Sequence, residues 1–98
     1  MEGTECSSPA DQRLVALIER AARYQERTVA CLRAGRRPNG SLDRKALERA
    51  LVELSAAIDC LREASELAES SEREPLRAKL RQREEERRAL ESLLQRRA

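Results

Sequence analysis

Three successive carboxylates, Glu84, Glu85 and Glu86, are the residues of this chain whose type could do acid–base chemistry. Such work needs carboxyls whose surroundings push their proton affinities apart, normally in a cleft. These three lie within RQREEERR, Arg81 to Arg88, among arginines and with no apolar neighbour in the run. That pattern is a charged helix surface. Cysteine is the other reactive type. Cys6, Cys31 and Cys60 are far apart, odd in number and in no C-x-x-C spacing, and the chain has no histidine. The usual zinc sets and the Cys–His and Ser–His nucleophile pairs are therefore absent. The spacing predicts reduced thiols in a cytoplasmic protein, with no metal, no cofactor and no catalytic residue.

Arginine is the third candidate chemistry. Arg33, Arg36 and Arg37 could meet an acidic partner or a phosphate, but they flank a loop, where solvated charge is the ordinary outcome. The arginines of the third helix alternate with glutamates, and Tyr24 is the sole aromatic. Twenty basic and 18 acidic residues leave a net charge of +2. Neither the charge balance nor the lack of stacking rings points to nucleic acid.

These side chains must be carried by helices. The chain has 98 residues, of which 39% are charged and 40% hydrophobic, with only three glycines and three prolines to interrupt it. Rich in Leu, Ala, Glu and Arg, it is all-α. Its core must be aliphatic and thin, near the lower size limit for a stable domain. No apolar run approaches a transmembrane segment, and the N-terminus lacks a signal-peptide core.

The densest apolar pattern runs from Ser41 to Ala68. Leu47, Leu51, Leu54, Ile58, Leu61, Ser65 and Ala68 recur at spacings of four and three, with Ala46, Ala50, Ala57 and Ala64 alongside. Two adjoining apolar rows predict a central helix with two partners. Before it, Ser8-Pro9-Ala10-Asp11 is a helix start. That helix carries Leu14, Leu17, Ile18, Ala21, Thr28, Cys31 and Leu32, weakened where Gln25, Glu26 and Arg27 intervene. Gly35 is expected just past its end, and Gly35 to Gly40, GRRPNG, is a turn-rich loop. Ser41 is the expected cap of the central helix. Pro75 is expected to open the third, because a residue before proline avoids the α region. The prediction is an antiparallel three-helix bundle with helices over about 9–34, 42–69 and 75–95, after a disordered leader of residues 1–8.

From Leu47 onward the chain resembles helices two and three of the microtubule-interacting and trafficking (MIT) domain. The likeness rests on Ala50, Ala57 and Ala64, on Leu76-Arg77-Ala78-Lys79 opening helix three, and on Leu90 and Leu94 near its end. It covers about half the chain. Leu47 stands where the family commonly has tyrosine, and GRRPNG makes a longer first loop. The resemblance implies a non-catalytic adaptor that holds a helical or extended segment of a partner beside helix three, in endosomal, ESCRT-type trafficking. Glu84 falls where the endosomal ATPase members grip a helical ligand with leucine. Arg88 falls where they place an acid, so the implied ligand is acidic. The expected partner-binding surface lies between the central helix and helix three, with Leu61, Leu80, Arg81, Glu84 and Arg88. The alternative is a structural helical subunit of a larger coiled-coil or bundle.

Overall fold

The computed structural model describes residues 8–97. Three helices follow one another, α1 (Pro9–Ala34), α2 (Arg44–Leu67) and α3 (Ser70–Arg97), packed as an antiparallel all-α bundle. Among the described residues no helix is long and apolar enough to cross a membrane. The expected leader lies outside the described residues except for Ser8, which belongs to the fold: its hydroxyl accepts from the Asp11 N–H at 3.1 Å and caps α1.

The middle helix is the one most buried. Eight α2 residues are buried, Ala46, Leu47, Ala50, Leu54, Ala57, Ile58, Leu61 and Ala64, against four in α1. The core is divided lengthwise. One cluster gathers Leu14, Leu17 and Ala21 of α1 with Leu61 and Ala64, Ala68 and Leu76. The other gathers Leu47, Ala50, Leu54 and Ile58 with Leu90. Leu80 packs against both. Between Leu80 and Leu90, α3 has no apolar side chain but Ala89, so the division of the core falls where the sequence places RQREEERR.

Two boundaries differ from the sequence expectation, each for a local reason. The cap of α2 is Asp43, two residues beyond Ser41; its carboxylate accepts from the Ala46 N–H at 3.3 Å. Ser41 is engaged elsewhere, with its N–H and hydroxyl both donating to the Asn39 side chain. Helix α3 begins at Ser70, not Pro75, and the proline lies inside it. The Glu69 carbonyl accepts from the N–H groups of Glu72 and Arg73, and the Arg73 guanidinium donates to the Ala68 carbonyl at 2.9 Å. Those bonds close the first turn. Pro75 then removes only the N–H that would have reached Ser71, and Ser71 is exposed, so water can satisfy its carbonyl. Gly35 stands just past the end of α1, as expected, and is right-handed, with φ −90°. Its need for glycine is steric: a Cβ there would overlap the Cβ of Ala46. The left-handed residue is Gly40, φ 87°, in the turn that follows Asn39.

Arg37 donates to the other oxygen of Asp43 at 3.2 Å. The Ala46 N–H, helped by the charge of Arg37, holds the Asp43 carboxyl below its ordinary value of 3.8. A folded value below the unfolded one stabilises the fold above the ordinary aspartate range, and that contribution is lost as the pH falls through it. The Tm difference between wild type and Asp43→Asn should therefore shrink as pH falls from about 5 to about 2. Thermal melts across that range check it; a constant difference would remove the charge of Asp43 from the account.

Candidate functional site

Helices α1 and α3 both lie on α2 but do not lie on each other. Among the described residues none of their Cα atoms approach within 8 Å across that pair. A cleft runs between them, floored by α2. Its first chamber, about 390 Å³, is lined by Ile18, Ala22 and Gln25 of α1, by Leu61 at the floor, and by Lys79 and Arg83 of α3. Its second, about 310 Å³, is lined by Val29 and Leu32, by Leu54 at the floor, and by Glu86, Ala89 and Leu90. Gln25 lines both.

The wall between the chambers is a hydrogen-bonded bridge. Gln25 Nε2 donates to one oxygen of Glu86 at 3.3 Å, and an Arg83 terminal nitrogen pairs with the other at 3.1 Å. The arginine side chain is only 18% exposed, a deep position for a guanidinium. Two polar atoms there are buried without a partner, Gln25 Oε1 and Arg83 Nε. One is an acceptor and the other a donor, and one Glu86 carboxylate joins the residues that carry them. Neither atom is open to solvent, so the bridge encloses one acceptor and one donor without a partner.

The expected partner-binding residues do not line one surface. Leu61 is buried in the core and reaches the floor of the α1–α3 cleft. Leu80 is half-buried between the two core clusters. Glu84 is tied to Arg62 of α2 at 3.1 Å, a pair that closes the middle of the α2–α3 groove. Arg81 pairs with Glu74 on α3 itself at 3.0 Å. Arg88 is exposed. The open part of the α2–α3 groove lies beyond it, where Arg44, Leu51, Glu91, Leu94 and Gln95 line a cavity of about 430 Å³.

The carboxylate run diverges. Glu84 faces α2, Glu86 faces α1 and Glu85 is exposed. Cys31 and Cys60 are free thiols, and burial raises the pKa of Cys60, which slows its reaction as a nucleophile. Cys6 lies outside the described residues.

Gln25, Lys79 and Arg83 were not singled out from sequence. The signal for two of them was present. Gln25 follows Ile18 and Ala21 in the apolar stripe of α1, and Arg83 follows Leu76 and Leu80 in that of α3, each at helical spacing. A polar residue at a stripe position on both helices foreshadows a polar layer between them. Comparison with protein-family models, with curated proteins and with solved structures finds no match to this chain.

Proposed function

We propose that this chain is a non-catalytic interaction module that holds an amphipathic segment of a partner protein in the cleft between α1 and α3. The observation that carries this reading is the apolar lining that the cleft leaves accessible, Ile18, Ala22, Val29 and Leu32 of α1 with Ala89 of α3. The second chamber, mainly apolar with few polar groups, has the make-up of concave sites where ligands dock. A segment laid there would bury apolar residues on the floor and meet polar side chains at the rim, the helix-in-groove arrangement. The scattered glutamates and slow Cys60 thiol support a module without catalysis.

The finer form of the reading is an MIT-like cytoplasmic adaptor in endosomal trafficking. Its support is the rhythm of Ala50, Ala57 and Ala64, all fully buried, and the free thiols, which suit a reducing compartment. A second reading, a structural subunit whose outer faces are covered by other chains, has its own observation: Val52 is 69% exposed and Val15 54% exposed.

The test is a quantitative pull-down from cytosol with wild type, Ala22→Arg/Ala89→Arg and Arg88→Glu. Both alanines are exposed residues of the cleft, so arginine there blocks it without entering the core. The expected result is a partner lost at least about 10-fold with the double variant and kept by Arg88→Glu, corresponding to about 1.4 kcal/mol. A partner lost only with Arg88→Glu would place binding at the α2–α3 groove instead.

A further inference from the structure

The antiparallel order of the helices gathers unlike charges at the two ends of a rod that measures 58 × 22 × 15 Å. At one end the joint between α1 and α2, residues 30–49, has only two acids. Both are engaged, Asp43 with Arg37 and Glu48 with Arg44. Arg33, Arg36, Lys45 and Arg49 are exposed, and among the described residues no carboxylate pairs with them. Lys45 and Arg49 border a cavity of about 410 Å³ whose apolar wall includes Ala30, Ala34 and Ala46. Asp43 borders it too, but its carboxylate is held by Arg37 and the Ala46 N–H.

At the other end the joint between α2 and α3, residues 66–74, has one cation. That cation, Arg73, is half-buried and turned inward, donating to the Ala68 carbonyl. Glu74 is paired with Arg81. Glu66, Glu69 and Glu72 are exposed, and among the described residues no cation pairs with them. Among them stands Leu67, 37% exposed at the end of α2. Each end thus carries what the other lacks. Free cations around a cavity walled by small residues match free carboxylates around an exposed leucine, and every copy of the chain has both.

We propose that copies of this chain associate head to tail. Leu67 of one copy enters the cavity bordered by Lys45 and Arg49 of the next, and Glu66, Glu69 and Glu72 face the free cations there. The contact is heterologous, so it adds copies in a row instead of closing a two-fold dimer. It is also small. The end is 22 × 15 Å across, well under the roughly 800 Å² per partner of a stable interface. Association is therefore weak, with a Kd between about 1 μM and about 1 mM, and sensitive to salt. It uses none of the residues that line the α1–α3 cleft, so it stands apart from the docking reading above.

Sedimentation velocity of the full chain reads this contact. The mean sedimentation coefficient should rise with protein concentration in about 0.01 M salt and return to the monomer value in about 1 M, as the Debye length falls from about 30 Å to about 3 Å. Lys45→Glu/Arg49→Glu and Glu66→Lys/Glu72→Lys change exposed positions, and each alone should weaken association at least about 10-fold. Mixed in equal amounts they should associate again, because reversed ends match reversed ends and unaltered ends match unaltered ones. Leu67→Ser should also weaken association with all charges intact. Arg23→Glu/Arg88→Glu makes the same change of charge at exposed positions away from both joints and should retain it, as should Ala22→Arg/Ala89→Arg. A chain that stays monomeric at about 1 mM in low salt would overturn the proposal. So would association that ignores either reversal or Leu67→Ser, or that does not return on mixing. An equal loss with Arg23→Glu/Arg88→Glu would reduce the effect to net charge, and a loss with the cleft variant would move the contact to the cleft; either result overturns it.

Discussion

Leu54→Ala and Ile58→Ala are each expected to destabilise the fold by about 2–5 kcal/mol. Both side chains are 0% exposed, on the helix that contributes most to the core, and both belong to the cluster with Leu47 and Leu90. Truncation removes their transfer free energy and leaves a cavity that a rigid surround cannot refill. Neither side offers an apolar side chain that could fill it. Ala50 and Ala57 flank them, have no long side chain to swing in, and are themselves fully buried. On the α3 side, between Leu80 and Leu90, polar side chains would have to enter an apolar space to fill it. A domain of this size has a total stability of about 5–15 kcal/mol. Each kcal/mol shifts the Tm by about 4–8 °C at this length. Thermal melts followed by circular dichroism should show Tm lowered by about 10 °C or more for either variant. A Tm within a few degrees of wild type for both would remove α2 from its central place.

That central place was legible from spacing alone. Leu47, Leu51, Leu54, Ile58 and Leu61 at intervals of three and four can share a face only on a helix, and the adjoining alanines add a second buried row. The boundaries were less legible because they depend on competition between neighbours. Ser41 and Asp43 are both good caps, and the choice was decided by Asn39, which takes the Ser41 hydroxyl, and by an isolated bridge between Arg36 and Leu42 that sets where the chain enters α2. The rule that a helix avoids the residue before proline is local as well. It was overridden at Glu74 because Arg73 reaches back to the Ala68 carbonyl and Leu76 is held in the core.

The cleft was not legible, for a topological reason. A sequence shows which face of a helix is apolar but not which pair of helices keeps its backbones apart. The charged middle of α3 was read as a solvated surface, and that holds for Glu85 and Arg88. It does not hold for Arg83, which the packing of α3 on α2 turns toward Gln25 of α1. The two residues are 58 positions apart.

Gly35 gives the second large effect, and its cause can be separated from backbone preference. With φ −90° the residue is in a conformation open to any L-amino acid, so Gly35→Ala carries no left-handed strain. The obstacle is Ala46. An added Cβ would overlap the Ala46 Cβ, and it would stand 3.3 Å from the Cys31 carbonyl oxygen and 3.6 Å from the Ala46 Cα. The first contact is impossible, the second tight and the third ordinary, so one atom dominates. Ala46 is itself buried in the first turns of α2, next to the Asp43 cap, so it cannot move without disturbing that cap. Gly35→Ala must therefore push the end of α1 away from the start of α2, at a cost of about 1–3 kcal/mol. Ala46→Gly alone should cost about 1 kcal/mol, the propensity difference in a helix plus a small void. In the double variant the offending Cβ is gone and the new one takes its space. The two changes should then be coupled, with the pair less destabilised than the sum of its parts by about 0.5–3 kcal/mol. Denaturant titrations of the four proteins measure that coupling directly. Simple additivity would mean that the close approach of α1 and α2 at this joint does not hold the residue at glycine, and the cost of Gly35→Ala would have to come from elsewhere.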